Sequence, residues 1–267
     1  MPNCKICCLY SGSRGNCTYI EAGRARILID AGKSAKALCL ALKSIDVDID
    51  SIDAIFITHE HSDHISALRT LSHSHNIPIY ILLSSAEVFY GLRDERLCSN
   101  LALQMKAPFS VRINELSITS FCTSHDSSAS VGYRLDFCED GNEYSIGYAT
   151  DTGFVTEPMK QGLTGCFAVV VESNHDVLML ENGPYPGELK QRIRSNKGHL
   201  SNSDCAAFVR ELCGFGTEHV MLAHLSEENN LPKLAYNETL SAISDRNVNL
   251  KVAAQDEAVW LLGGIED

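Results

Sequence analysis

Residues 54–65 of the chain read AIFITHEHSDHI, an apolar run of strand-forming residues that leads directly into three histidines and two acids. On a continuous helix His59 and His61 would point about 200° apart, so they could not converge on one ion. In an extended segment leaving a strand they can converge. Asp63 and His64 then fall at the start of a helix, where an acid suits the first turn. The stretch therefore predicts a strand, a ligand-bearing turn and a helix.

The same arrangement recurs along the chain, because further reactive side chains follow short apolar runs. Layered α/β folds gather their sites at the ends of strands, so we expect these side chains to lie close together. The six placed in this way are Asp30, His59, His125, Asp151, Glu172 and His224.

The pattern of apolar residues predicts an α/β protein. Short runs rich in β-formers dominate the first third of the chain, and later runs alternate with segments of helical period such as Ala35–Ser44 and Ser203–Cys213. This mixture favours sheets covered by helices over a helical bundle or a pure β-barrel. We find no repeat, low-complexity segment or linker, so we expect residues 1–267 to form one domain.

The charge and the cysteines narrow the function classes. With 34 acidic and 22 basic residues the net charge is −12, which argues against attachment to DNA or membrane by bulk charge but allows a local basic patch. No apolar stretch is long enough for a transmembrane helix. The eleven cysteines are scattered and several lie in apolar runs, for example Cys122, Cys138, Cys205 and Cys213. We expect reduced core thiols in a cytoplasmic protein.

The histidine run predicts a metal site. Its residues divide into two imidazoles on one side and a carboxylate plus an imidazole on the other, which suits two cations a few ångströms apart. Borderline nitrogen and oxygen ligands favour zinc or manganese. The alternative is a solvated histidine-rich loop after a buried strand. Among the other histidines, we expect His73, His75 and His219 at the surface, and leave the role of His175 open.

The pattern His-x-His-x-Asp-His after a strand, with a distant His, Asp and His at later strand ends, resembles the metallo-β-lactamase fold superfamily. The resemblance implies a four-layer αββα sandwich, with two mixed β-sheets flanked by helices. It implies that Asp151 bridges two divalent metal ions and that Asp30 orients the ligand loop. The implied ligands are His59, His61 and His125 for the first metal, and Asp63, His64 and His224 for the second.

Three further stretches are similar to the YycJ (WalJ, VicX) group of this superfamily. They are SGSRGN at 11–16, ESNHD at 172–176 and GHLSN at 198–202, and the likeness spans roughly Cys4 to Leu262. The resemblance implies a 5′→3′ exonuclease that acts on the ends of double-stranded DNA. We place His199, Asp63 and Glu172 among the catalytic residues.

Two features of the sequence favour a phosphodiester substrate independently of the resemblance. His199 stands just before a helix opened by Ser201 and Asn202, where free backbone N–H groups and the helix dipole favour an anion. We expect those two residues to bind substrate. Upstream lies the densest basic stretch of the chain, formed by Lys190, Arg192, Arg194 and Lys197. The basic run could instead be the solvated face of a helix without a role in binding. His199 could simply be a residue that precedes the helix cap.

The expected mechanism is metal-assisted hydrolysis. Two cations bridged by Asp151 would lower the pKa of a shared water, and the bridging hydroxide would attack phosphorus. His199, held by Glu172, would protonate the departing alkoxide.

Three alternatives remain at this point. A thioester or lactone hydrolase of the glyoxalase II type needs a helical substrate domain, for which residues 225–267 are too few. An RNA-processing enzyme like RNase Z also carries a histidine before a helix, but its substrate-gripping arm is not apparent, and the gap from Asp151 to His224 leaves little room for the inserted domain of RNase J. A metal-free regulatory protein would be expected to have lost ligands, and every expected ligand is present.

Overall fold

A computed structural model describes residues 2–90 and 94–264 of the chain. Within these ranges the strands form two seven-stranded sheets. Each sheet combines antiparallel and parallel pairs, so both are mixed. The fold class predicted from the sequence is confirmed.

The first sheet joins the N-terminal half of the chain to a strand near its C-terminal end. Its strands run in the order β14-β1-β2-β3-β4-β5-β6. Neighbours are antiparallel from β14 to β3 and parallel from β3 to β6. The bounds are β1 Cys4–Tyr10, β2 Cys17–Ala22, β3 Ala25–Ile29, β4 Ala54–Phe56, β5 Ile79–Leu82, β6 Leu101–Gln104 and β14 Val259–Leu262.

The second sheet has a related order, β13-β12-β11-β10-β9-β8-β7. Neighbours are antiparallel from β7 to β10 and parallel from β10 to β13. The bounds are β7 Ser110–Ile113, β8 Leu116–Cys122, β9 Val131–Glu139, β10 Asn142–Ala149, β11 Ala168–Glu172, β12 His219–Ala223 and β13 Asn249–Val252.

Helices cover the outer faces of both sheets. The first five are α1 Ala35–Ser44, α2 Ser62–Ile65, α3 Leu68–His75, α4 Leu83–Tyr90 and α5 Glu95–Asn100, with a 3-10 turn at Ile49–Ser51. The later five are α6 Glu157–Leu163, α7 Val177–Asn182, α8 Gly187–Ile193, α9 Asn202–Gly214 and α10 Pro232–Ala242.

Three apolar clusters hold these layers together. One lies between the sheets, where for example Ile27 of β3 and Val170 of β11 are fully buried. A second packs the outer face of the first sheet against α1 and α3, and a third packs the second sheet against α6, α9 and α10. Since strand side chains alternate between faces, each sheet is apolar on both sides.

The topology brings the carboxyl ends of five strands to one place. These strands are β3 and β4 of the first sheet and β10, β11 and β12 of the second, and within each set neighbouring strands are parallel. The two edges meet, because the amide of Val131 donates to the carbonyl of Thr58 at 3.1 Å. Residues that follow these strands therefore face a common space.

Two expectations about buried residues are wrong. Cys122 and Cys138 are exposed, because they lie at or near strand ends where the alternating side chain points outward. His219 is buried instead of lying at the surface, because it begins β12, which has a neighbour on each side. All eleven cysteines carry free thiols, as expected. No helix in the described part of the chain is long and apolar enough to cross a membrane.

Candidate metal centre

Polar side chains follow the strand ends that converge between the sheets. Asp30 comes directly after β3, Asp151 follows β10 and His224 follows β12. All three have a left-handed backbone, with φ values of 63°, 56° and 56°. Such conformations are costly for non-glycine residues and cluster at functional sites. Here they turn each side chain out of its strand direction toward the common space.

The histidine run has the local structure that its sequence predicts. His61 has extended backbone angles and caps the N-terminus of α2, and Asp63 and His64 lie in the first turn of that helix. The rings of His59 and His61 are 4.5 Å apart between centroids, and each is 5.0 Å from the ring of His125. The extended segment therefore converges His59 and His61 on the side where His125 lies.

The ligand atoms of these residues form compact groups. Among the described residues, groups whose donor atoms all lie within 4.8 Å of one another include His59–His61–His125 and Asp63–His64–His224. Asp151 belongs to one group with His59 and His64 and to another with Glu172, His199 and His224. The expected ligands of each metal thus lie close together and Asp151 lies near members of both sets, whereas their roles as ligands, and that of Asp151 as a bridge, remain predictions.

Buried atoms without partners test whether this donor set fits a metal. Within the described ranges, His59 Nε2, His224 Nε2 and Asp151 Oδ2 are buried and make no hydrogen bond. Asp151 Oδ2 lies 3.5 Å from His64 Nε2, and Asp151 Oδ1 lies 3.4 Å from His224 Nε2, too far apart for strong direct bonds. Buried polar atoms need partners. Imidazole nitrogens and carboxylate oxygens arranged in this way fit divalent cations.

The electrostatics of the cluster also favour positive charge at its centre. Burial lowers the pKa of His64, but the carboxylates of Asp30 and Asp151 outweigh burial and raise it to about 10. Burial raises the pKa of Asp151, yet the surrounding histidines hold it well below its ordinary range. Burial and His64 together hold the pKa of His59 well below its usual range, so this imidazole stays neutral. Protons and divalent cations therefore compete for the same nitrogens.

Asp30 supports the ligand run from behind, as expected. Its Oδ2 accepts from His64 Nδ1 at 2.8 Å, and its Oδ1 accepts from the Thr58 amide at 2.8 Å. The Thr58 hydroxyl lies 3.0 Å from His59 Nδ1. These contacts leave the Nε2 atoms of both histidines facing the cluster, and fixing the tautomer in this way is the usual task of residues behind a metal ligand.

Asn16 is a site residue that the sequence analysis quoted but gave no role. Its side chain is buried, and its Nδ2 lies 3.2 Å from Asp63 Oδ2 and 3.0 Å from His64 Nε2. Its Oδ1 accepts from the Gly12 amide at 2.8 Å, which closes the loop 12–16 on itself. The signal was its place in the SGSRGN stretch, but only the fold brings it to the ligand run.

Glu172 contacts His199, as expected, and it also contacts His224, which was not expected. Glu172 Oε1 lies 2.7 Å from His199 Nδ1 and 3.0 Å from His224 Nδ1, and Oε2 accepts from the Thr152 amide at 2.9 Å. Burial raises the pKa of Glu172, but the charge and hydrogen bonds of the two histidines outweigh it and lower it to about 2. Glu172 is therefore an ionised, fully buried acceptor behind two imidazoles.

Two residues of the basic run contact Glu181 of α7. Lys190 Nζ donates to the carbonyl of Glu181 at 2.9 Å, and Arg194 pairs with the Glu181 carboxylate at 3.1 Å. Both contacts are at exposed positions, where ion pairs are weak. They give Lys190 and Arg194 a partner on α7, so the geometry adds no support for a substrate contact by either residue.

The other half of the basic run borders the cluster. Arg192 Nε donates to Asp126 Oδ2 at 2.5 Å, and Asp126 Oδ1 is 3.3 Å from His125 Nε2. Lys197 lines a cleft of about 430 Å³ beside His125. Asp126, which the sequence analysis did not single out, thus ties α8 to the loop that carries His125.

Ser201 and Asn202 are occupied within the fold. Ser201 caps α9 by accepting from the Asp204 amide, and Asn202 is 1% exposed. The Asn202 amide oxygen accepts from Ser173 at 2.7 Å and from Asn230 at 2.8 Å. Because these groups are committed to neighbours, the expected substrate contact of Asn202 has no support in the geometry. His175 is buried next to Ser201 and stands outside the ligand groups found among the described residues.

Comparison with known proteins agrees with this architecture. Residues 25–225 match the model of the beta-lactamase superfamily domain. The chain is 36% identical over 231 residues to exodeoxyribonuclease YycJ of Bacillus anthracis, covering 85% of this chain and 84% of the relative. It is 33% identical over 252 residues to exodeoxyribonuclease WalJ of Streptococcus pneumoniae, covering 93% and 91%.

A solved structure agrees at the level of the fold. The metallo-beta-lactamase fold protein YhfI of Bacillus subtilis superposes with a TM-score of 0.72 at 17% identity, covering 96% of this chain and 99% of that chain. The superfamily and the group expected from the sequence are confirmed. The chain belongs to the metallo-β-lactamase superfamily, within the family that contains the YycJ and WalJ exodeoxyribonucleases.

Proposed function

We propose that the chain is a metal-dependent exodeoxyribonuclease that removes nucleotides from the 5′ ends of duplex DNA. The observation that carries this is the position of Asp151, which lies within reach of His59 and His64 on one side and of His224, His199 and Glu172 on the other. Support also comes from the relatives named exodeoxyribonuclease, which are aligned over most of their length. We further propose that the enzyme acts in the cytoplasm and that residues 1–267 work as one domain.

Two divalent cations, zinc or manganese, are the proposed cofactors. One cation would be held by His59, His61 and His125. The other cation would be held by Asp63, His64 and His224, and Asp151 would be a ligand of both. When bound, such cations supply a water of lowered pKa and offset the charge that develops on the phosphoryl oxygens. Asp63 then serves the reaction as a ligand that Asn16 holds in place.

The residues of the chain handle the proton of the leaving group. Hydrolysis joins a water oxygen to phosphorus and breaks the bond from phosphorus to the 3′-oxygen of the terminal nucleotide, which departs needing a proton. His199 donates its Nδ1–H to Glu172, so it acts as the acid in its imidazolium form, whose second proton is on Nε2 and passes to the leaving oxygen. The His199 side chain is 21% exposed, whereas that of Glu172 is fully buried. His199 is thus open to a substrate that Glu172 cannot touch.

Lys197 and Arg192 are the proposed phosphate contacts from the basic run. Lys197 shares the cleft beside His125, and Arg192 is 60% exposed although it pairs with Asp126. In a chain of net charge −12, cations beside the cluster offset the repulsion that a polyanion would meet.

One panel of substrates tests the proposal. Wild-type protein loaded with zinc or manganese is incubated with 5′-labelled duplex DNA, single-stranded DNA, RNA and a generic thioester. We expect release of mononucleotides from the duplex. Preferred cleavage of RNA would favour the RNase Z alternative, and cleavage of the thioester alone would overturn the proposed function.

A second experiment tests the proton donor. We expect His199→Ala to lower turnover of duplex DNA about 100-fold, the usual size of a general-acid effect, while elemental analysis finds the same metal content as in wild type. The control is His73→Ala, which removes a histidine from the distant end of α3. Loss of metal together with activity would make His199 a ligand and not an acid.

A further inference from the structure

A small cavity opens from the cluster on the side of His199 and His224. Its volume is about 170 Å³, and His199 and His224 form part of its wall. The remaining wall comes from α8, the loop before α8 and the residues after His224, together with Ser13, Asn174, Gly198 and the paired side chains of Arg192 and Asp126. We call it the Tyr185 cavity, and its defining residues are Tyr185, Leu189, Ile193, Leu225, Ser13 and Asn174.

The aromatic wall of this cavity is held in place by the sequence around it. Tyr185 lies between Pro184 and Pro186, and Pro186 has φ −57° and ψ 150° as the residue that precedes α8. Each proline fixes its own φ and restricts the residue before it. Tyr185 is therefore carried by a stiff backbone segment, which loses little backbone entropy when the residue binds a ligand.

The other walls combine an apolar face with polar edges. Leu189 and Ile193 are four residues apart on α8 and so share one face of that helix. Asn174 and Ser13 contribute polar groups, and the Asn174 side chain is fixed because its Nδ2 donates to the His224 carbonyl at 2.9 Å. A nucleobase has the matching character, since its faces are apolar and its edges carry donors and acceptors.

Size limits the occupant to a single ring system. Pockets for drug-sized ligands measure about 300–1,000 Å³, and the Tyr185 cavity at about 170 Å³ is smaller. It has room for one base and not for a run of nucleotides. The cleft of about 430 Å³ beside His125 is larger, and it carries Lys106, Lys197 and several hydroxyl groups in place of an aromatic ring.

The position of His199 decides which nucleotide each space receives. The rings of His125 and His199 are 5.0 Å apart between centroids, and His199 lines the Tyr185 cavity whereas His125 lines the larger cleft, so the two spaces adjoin at this pair of residues. The proposed acid His199 borders the Tyr185 cavity, and it must protonate the 3′-oxygen of the departing nucleotide. The departing nucleoside therefore belongs on the His199 side and the remaining strand on the Lys197 side.

We propose that the Tyr185 cavity binds the base of the terminal nucleotide that leaves the strand, stacked on Tyr185. This inference rests on the proposed nuclease function. It predicts that the enzyme prefers DNA ends whose terminal nucleotide carries a base. Tyr185, and not the metal ligands, would cause this preference.

The experiment compares two duplexes that differ only at the 5′-terminal nucleotide, which carries either a normal base or an abasic tetrahydrofuran. Stacking of one base on an aromatic side chain is expected to favour the normal end by about tenfold in kcat/KM. We expect Tyr185→Ala to reduce this preference to less than about twofold, and Tyr185→Phe to retain it. Leu178→Ala, at an exposed position of α7, is the matched control and should also retain it.

Cleavage of the abasic-ended duplex, which offers no ring to Tyr185, separates this inference from the function on which it rests. Tyr185→Ala should hydrolyse it at the wild-type rate, which also shows that the variant folds. If wild type shows no preference, or if folded Tyr185→Ala keeps it, the inference is overturned while the nuclease function stands. If wild type cleaves no phosphodiester with either metal, both fail.

Discussion

One carboxylate oxygen, Glu172 Oε1, contacts the Nδ1 atoms of both His199 and His224, at 2.7 and 3.0 Å. The proposed proton donor and a proposed metal ligand are therefore oriented by the same buried group. Each histidine points its other nitrogen away from Glu172, and the ring centroids lie 5.2 Å apart in a stacked arrangement. Movement of Glu172 would disturb the acid and the metal site together.

Glu172→Gln should weaken both functions at once. Glutamine keeps the volume but loses the charge and one acceptor, so the two imidazoles can no longer be held as before. Loss of such supporting groups costs about 10–100-fold in metal affinity or activity. The measurement is a metal titration alongside turnover of duplex DNA. Glu188→Gln, at an exposed position in the first turn of α8, is the control, and unchanged metal affinity in Glu172→Gln would show that the carboxylate orients only His199.

Asn16→Ala should loosen the ligand run without removing a ligand. The amide lies 3.2 Å from Asp63 Oδ2 and 3.0 Å from His64 Nε2, so its loss frees both side chains of the second ligand group. We expect metal affinity to fall about tenfold, in the range found for residues that position ligands. Asn237→Ala, on the exposed face of α10, should bind metal like wild type. Wild-type affinity in Asn16→Ala, with a lowered unfolding temperature, would reduce Asn16 to a loop-closing residue.

Gly32 allows the closest backbone approach at the site. A Cβ at this position would lie 1.5 Å from the carbonyl oxygen of Asp63 and 2.6 Å from the backbone nitrogen of Asn16. Gly32→Ala must therefore push the ligand run away, and we expect a loss of at least about 2 kcal/mol in the free energy of unfolding. Gly187→Ala, where a Cβ meets nothing within 4 Å, should change it by less than about 1 kcal/mol. Denaturant unfolding measures both, and equal stability of the two variants would contradict the close packing of Gly32.

Removal of metal should destabilise the protein as well as inactivate it. A ligand that binds only the folded state stabilises it by about 2.7 kcal/mol at one hundred times its Kd. We therefore expect the unfolding temperature to fall after dialysis against a chelator and to recover with zinc or manganese. In His59→Ala, which lacks a fully buried proposed ligand, the response to added metal should be lost or much reduced. A metal-free wild-type sample that unfolds at the same temperature as the loaded one would contradict a bound cation.

The interior strands and the ligand run follow from local sequence, whereas the sheet edges do not. Strand β11 follows from its local sequence, because Ala168–Glu172 are five consecutive buried residues that begin with an apolar run. Strands β6, β7 and β14 contain no such series of buried residues. Each lies at an edge of its sheet, and they have half-exposed burial patterns that give little apolar signal. An edge strand depends on a neighbour distant in the chain more than on its own residues.

By itself, the sequence determined the kinds of ligand and their local spacing, because His59 to His64 are placed by one strand, one turn and one helix start. Only the tertiary structure decided which distant groups support them. Glu172 reaches histidines 27 and 52 residues away, and Asn16 reaches Asp63 across 47 residues. It also gave Lys190 and Arg194 a partner in Glu181 and buried Asn202. Such contacts depend on how the ends of two sheets meet, and that geometry is set by packing of the whole core and not by any local pattern.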